Sequence, residues 1–182
     1  DRKKSIPNFS DKYKTFFPRM WSNTQSRHAS GYKQWAGLRN TERTPTFSQN
    51  LKYFFNYQIG WSYLRYFMWN FAGRQNDFQG NYDNLKGNWI SGIKAIDSIR
   101  LGNQNELDDD SLNNKARNTY FFLPLILGLI GLYFLLKKNL KLSWVLLLLF
   151  LFTGLALKVY LNERPFEPRE RDYALVGSFY VF

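Results

Sequence analysis

"YFFLPLILGLIGLYFLLKKNLKLSWVLLLLFLFTGLALK", residues 120–158, holds two uncharged runs separated by a short basic link. The first run, 120–136, follows Arg117 and stops at Lys137 and Lys138, and the second, 142–157, stops at Lys158. A helix needs about 17–25 apolar residues to cross the hydrocarbon core of a bilayer. Both runs sit at the short end of that range, and their aromatic and lysine ends extend the reach by snorkelling. A soluble domain would have to bury both Leu-rich helices completely, because neither has a polar face to show water. The pattern therefore reads as membrane-embedded. The link "KKNLK", residues 137–141, is too short for anything but an antiparallel helical hairpin. Its lysines put it on the cytoplasmic side, which leaves the segments before Tyr120 and after Lys158 together on the outer side. Gly128, Gly131 and Gly154 offer places for close helix contact.

Outside these runs the chain is polar. Over 182 residues the mean hydropathy is −0.43 and the formal charge is +11. Residues 1–43 carry ten Lys/Arg against three acids, so the basic excess is mainly N-terminal. Such an excess attracts anionic headgroups, phosphate-bearing ligands or nucleic acid. No recognition helix or nucleic-acid motif accompanies it, which argues against a nucleic-acid partner. Aromatic residues make up 19% of the chain, an excess that suits membrane interfaces. The absence of cysteine excludes disulfides, thiolate metal sites and cysteine nucleophiles together. The sequence runs from Asp1 to Phe182, which falls inside an apolar segment, and it reads as a piece of a longer protein.

Residues 1–46 form a basic segment expected to be mostly irregular with short helical pieces. Ser26, His28 and Ser30 lack a Gly-x-Ser-x-Gly elbow, and a lone histidine in so polar a stretch reads as a surface residue. Residues 47–73 predict an aromatic amphipathic helix, N-capped by Ser48 and stopped by Gly73. Leu51, Phe54, Phe55, Ile59, Tyr63, Tyr66 and Phe67 mark its apolar face. Lys52, Asn56, Gln58, Arg65 and Asn70 interrupt it, so an interfacial or packed helix fits better than a span, though a span stays open. Residues 74–119 read as a polar extracytoplasmic loop. One short helix in it presents Trp89, Ile93, Ile96 and Ile99 as a buried face, and "ELDDDS" reads as a solvated acidic turn rather than a cation loop.

The expected order continues with a transmembrane helix at 120–136, the cytoplasmic turn 137–141 and a transmembrane helix at 142–158. A charged outer loop, 159–173, precedes the start of a further transmembrane helix at 174–182. The fold class is thus mainly α, a polytopic helical membrane protein fragment. In the outer loop, Pro165 and Pro168 stop the preceding helix. Arg164, Arg169 and Arg171 then lie at headgroup depth, where a guanidinium holds phosphate bidentately. The alternation Arg169, Glu170, Arg171, Asp172 equally suits local ion pairs. Arg74, Gln75, Asn76 and Asp77, just past the aromatic helix, suit either sugar contact or a cap and turn.

"FSQNLKYFFNYQIGWSYLRYFMWNFAGRQND", "GNWISGI", "RNTYFFLPLILGLIGLYF" and "NERPFEPRERDYALVGSFYVF" together carry a family likeness. In this order they resemble large multi-pass membrane proteins of Bacteroidetes, a family of unknown function related to the transmembrane protein O-mannosyltransferases of the GT-C superfamily. The likeness runs from "TFFPRMWS", at residue 15, to the end. It implies an inner-membrane glycosyltransferase that takes a polyprenyl-phosphate sugar donor and acts on the periplasmic side. The acceptor would be an exported protein hydroxyl or another outer glycan. The implied partners are membrane lipids, the remaining transmembrane helices of the parent and exported acceptor proteins. It matches no residue here to a catalytic base, and no metal or further cofactor is implied. Arg164, Arg169 and Arg171 suit the departing lipid phosphate, with Arg65 and Arg74 as possible helpers and Asp77, Glu170 and Asp172 as further contacts. The competing expectation is a non-catalytic membrane scaffold of a cell-envelope complex.

Overall fold

The computed structural model describes residues 19–22, 24–38, 45–80, 83–167 and 171–182. Arg169, Glu170 and Pro168 of the outer knot, like most of the basic N-terminal segment, lie outside the described residues. The fold is mainly α-helical, as expected.

Helix α1, Ser26–Ala36, ends on Gly37, whose left-handed φ of 67° lets the Gly37 and Leu38 amides reach back to Gln34 and Lys33. The long aromatic helix begins as α2, Phe47–Tyr53. It continues through π-helical winding over Phe54–Leu64 into α3, Arg65–Phe71. Its cap is Thr46 rather than Ser48. Thr46 Oγ1 accepts from the Gln49 amide while Gln49 Oε1 accepts from the Thr46 amide, a reciprocal pair that Ser48 has no partner to make.

The face this helix buries also differs from the apolar stripe read in the sequence. Asn50, Phe54, Gln58, Ser62 and Tyr66 are all buried, at a strict spacing of four, whereas Phe55 is exposed. An α-helix would rotate such a set steadily off one face, and the wider π-turns hold it in line. Gln58 and Arg65, which look like interruptions in the sequence, belong to the packed surface. The helix packs on α1 through Tyr32, Trp35, Tyr53 and Tyr57, and on later elements through Tyr63 and Phe67.

Beyond it, β1 (Gly73–Arg74) pairs antiparallel with β2 (Asn118–Thr119), closing the polar segment into a loop with a fixed base. The loop carries α4, Lys94–Leu101, and α5, Asp109–Leu112. The expected buried face of α4 is turned outward, with Ile99 88% exposed and Trp89 outside the helix. Asp97 draws the opposite side inward, because its carboxylate accepts from the Ser91 and Gly92 amides and the Ser91 hydroxyl. The acidic residues of "ELDDDS" are exposed at the start of α5.

The first apolar run forms α6, Leu123–Lys138, which starts later than residue 120. Strand pairing through Thr119 and hydrogen bonds from the Tyr120 and Phe121 amides to the carbonyls of Ala72 and Ser91 keep these residues out of the helix. Only Asn139 separates α6 from α7, Leu140–Leu151, and Asn139 Oδ1 caps the new helix at the Leu142 amide. Helix α7 continues through π-helical winding, Phe152–Ala156, into α8, Leu157–Leu161. Among the described residues, Leu140–Leu161 is the one helix long and apolar enough to cross a membrane. A 3-10 turn, Asp172–Leu175, leads into α9, Val176–Val181, which packs on α7.

The candidate close-contact glycines behave differently. A Cβ on Gly154 would come within 2.5 Å of Ser178 Oγ and 2.6 Å of the Tyr63 hydroxyl, whereas one on Gly131 would meet nothing within 4 Å. Gly128 lies against the Phe182 ring. Gly154→Ala is expected to destabilise the chain by about 1–3 kcal/mol through overpacking, and Gly131→Ala to be nearly neutral. Unfolding of both variants in the same detergent micelle checks the contrast.

Candidate functional site

The site is built where the aromatic helix meets the end of the apolar helix. Asn162, with a φ of 42°, ends α8 and turns the chain back along residues 53–65. Each turn of the aromatic helix then grips the reversal. The Tyr53 hydroxyl donates to the Glu163 carbonyl at 2.7 Å, and the Tyr57 hydroxyl to the Arg164 carbonyl at 3.1 Å. Gln58 Nε2 donates to both the Asn162 side chain and the Glu163 carbonyl.

At the centre lies a buried charge pair. Lys158 Nζ sits 2.8 Å from Glu163 Oε2, with the side chains 1% and 7% exposed. Ser62 Oγ donates to the same carboxylate oxygen at 2.7 Å and lies 2.8 Å from Lys158 Nζ. Lys158 is thus buried in the protein, not a flanking lysine reaching for headgroups. Its ammonium finds a carboxylate only five residues on. Glu163 Oε1 is buried and has no hydrogen-bond partner among the described residues.

Glu163 lines a cleft together with Trp35, Tyr57, Trp61, Ser62, Arg65, Gln79, Gly80, Pro165, Phe166, Glu167 and Arg171. Its space is about 540 Å³, counting the part open to solvent. Ligand clefts of this kind combine an apolar aromatic lining with a few placed polar groups. Trp35, Tyr57 and Trp61 form one aromatic wall, with ring centroids 5.1 and 5.8 Å from Trp35.

The sequence-predicted residues divide sharply. Arg65 and Arg171 both line the cleft. Arg65 is buried, lies 4.1 Å over the Trp61 ring, and donates to the carbonyls of Trp61 and Gly87, which ties the polar loop to the helix. Arg171 is exposed and makes no ion pair among the described residues. Arg164 pairs locally with Glu167 at 3.1 Å and lies near Trp21. Its side chains are 26% and 18% exposed, so the pair is partly buried and local to the turn.

Asp172 opens the 3-10 turn, its carboxylate accepting from the Tyr173 amide. Arg74 lies 4.1 Å over Trp69, outside the cleft, and Asp77 accepts from Asn114. Arg74 and Asp77 therefore serve the loop base, while Arg169 and Glu170 fall outside the described residues. The sequence reading missed Trp61, Ser62, Lys158 and Glu163. No apolar periodicity marks this face, since Asn50, Gln58 and Ser62 lie on it between Phe54 and Tyr66.

Behind the knot, His28 is buried rather than on the surface, 1% exposed, with Nδ1 2.9 Å from Ser22 Oγ. The ring is covered because α1 packs against the knot; a Cβ on Gly31 would lie 2.7 Å from both Pro165 and Phe166. Burial first, then Arg164 and Arg27, push its pKa below the ordinary value, with Glu167 opposing.

Residues 1–55 match a family of unknown function (DUF8416), a stretch that takes in α1 and the start of the aromatic helix. No curated protein and no solved structure matches the chain.

Two outcomes follow from this geometry. Lys158→Met strands a buried carboxylate and is expected to cost about 3–5 kcal/mol, most of it recovered in Lys158→Met/Glu163→Met. A double-mutant cycle of unfolding free energies in micelles measures both. For His28, the unfolded chain binds the proton more readily than the folded one. Its contribution is therefore fully present above the ordinary value of about 6.5 and is lost as pH falls below it. The melting temperature should fall between pH 7 and pH 5, and less so in His28→Gln.

Proposed function

We propose that this chain is a membrane-embedded part of a GT-C-type glycosyltransferase of the bacterial inner membrane. In this reading α6 and Leu140–Leu161 form the hairpin of two spans, and α9 begins a third. Support comes from the apolar surface they present. Leu127, Phe134, Trp144 and Phe152 are all more than half exposed, and α6 buries no residue within the chain. A surface of that extent fits a lipid or protein partner rather than water. The hairpin link then faces the cytoplasm, and the cleft lies at the outer headgroup layer beside the end of Leu140–Leu161.

The donor is a polyprenyl-phosphate sugar, and the acceptor an exported protein hydroxyl or outer glycan. The observation that carries this reading is Arg171, an exposed guanidinium on the lining of an aromatic cleft that also contains Glu163, two residues past a helix of spanning length. Lipid phosphate reaches that depth, and a guanidinium binds it with two directed hydrogen bonds. Arg65 supports the lining from within. Cationic groups so placed stabilise the departing phosphate, while the catalytic base is supplied by other parts of the parent.

The test is binding of undecaprenyl phosphate to the chain in nanodiscs. Arg171→Ala should weaken it about tenfold, matching the worth of one charge-assisted contact, and Lys137→Ala in the last turn of α6 should not. Equal binding in wild type and Arg171→Ala removes the donor-phosphate role. Failure of the full-length parent to turn over any labelled lipid-linked sugar selects the scaffold reading.

A further inference from the structure

Helix α4 is built inside out for a loop in water. Its polar groups point inward: Asp97 takes the Ser91 and Gly92 amides, and Arg100 lies 3.6 Å over the Trp89 ring and donates to the Trp89 carbonyl. Asp97 and Leu101 are the buried residues of the helix. On an α-helix, Ile99 stands half a turn from their midpoint, flanked by Ala95 and Ile96. All three face outward, and Ile99 is 88% exposed.

A single exposed isoleucine is ordinary, so what covers this stripe follows from its position. The Phe121 amide donates to the Ser91 carbonyl, and a Cβ on Gly92 would lie 2.8 Å from both the Phe121 ring and Thr119. Helix α4 therefore starts against the residues that lead into α6. Tyr120, Phe121 and Leu123 are exposed there, as is Ile93 at the cap of α4. They join the outward stripe to the apolar surface of α6, which buries no residue within the chain. A helix rises about 1.5 Å per residue, so Ile99 stands about 10 Å along α4 from that junction.

The charge on α4 has the sign for lipid as well. Asp97 is buried and Arg100 is held on Trp89, which leaves Lys94 as the exposed charge of the helix. A helix with an apolar face and a basic flank is the form that lies in the headgroup layer.

We infer that α4 is an interfacial helix, its stripe of Ala95, Ile96 and Ile99 seated in the outer leaflet beside the start of α6. The loop of residues 74–119 is thereby held against the membrane rather than free in water. This rests on α6 being a span, and it adds to the hairpin and α9 a further segment in contact with lipid.

The chain has no cysteine, so single spin labels can be placed in the whole protein without background. Ile99→Cys tests the stripe, Phe134→Cys on α6 reports lipid, and Asp109→Cys on α5 reports water. All three side chains are exposed, so the labels displace no packing. In nanodiscs, collisions with dissolved oxygen and with a water-soluble nickel chelate are measured at each site. The label at 99 should meet the chelate about tenfold less often than the label at 109, since an interfacial helix sinks its apolar face about 5–10 Å into the boundary of headgroups and chains. Its oxygen collisions should approach those at 134.

Chelate access at 99 equal to that at 109, with 134 still screened, overturns the inference and leaves the span standing. A label at 99 shielded from oxygen and chelate alike, with dipolar broadening between copies, overturns it in favour of a second copy of the chain on the stripe. Equal chelate access at all three sites overturns the membrane reading of α6 and this inference with it.

Discussion

The buried pair of Lys158 and Glu163 closes the end of the apolar helix on its own reversal, and Ser62 joins both charges to the aromatic helix. Taking two charges out of water costs several kcal/mol each, and their attraction offsets this only when further hydrogen bonds complete the shell. Ser62 completes it on one side, and Tyr53, Tyr57 and Gln58 fix the backbone of residues 162–164 on the other. The geometry of the reversal at Asn162 is therefore set by side chains of the aromatic helix. Remove the pair's partners and the helix has no reason to keep its polar residues inward.

That arrangement accounts for the winding as well as the packing. Three hydrogen-bonding residues, Tyr53, Gln58 and Ser62, must meet a segment that follows them by about a hundred positions. π-helical turns keep Gln58 and Ser62 on one line where α-helical turns would carry them apart. The second π-helical stretch, Phe152–Ala156, contains Gly154, whose missing side chain admits Tyr63 and Ser178. Both helices leave α-helical winding close to where they touch, and the cleft opens one turn away from that contact.

The parts of the fold that were legible in the sequence are those fixed by short-range chemistry. Uninterrupted apolar runs predicted α6 and Leu140–Leu161, and a breaker at Gly73 predicted the end of the aromatic helix. Arg65 and Arg171 were recognisable as cations near apolar surface. The buried face of the aromatic helix was not legible, since summed hydrophobicity ranks Gln58 and Ser62 as outward residues. Their burial follows from partners that local periodicity does not contain. Helix α4 failed in the same way, because three donors from Ser91 and Gly92 outweigh the isoleucines opposite. Glu163 was not singled out within the charged loop, because its role comes from Lys158 on the preceding helix.

The distance along the chain between the gripping residues has a consequence for how the protein is made. Ser62 leaves the ribosome 101 residues ahead of Glu163. At about 5–20 residues per second this is a delay on the order of 5–20 s. Throughout it the side-chain amide of Gln58 and the hydroxyls of Tyr53 and Ser62 lack the acceptors that residues 162–163 will supply. Until then the segment stays hydrated, because burying those groups without partners costs free energy, and its docking waits for the reversal at Asn162.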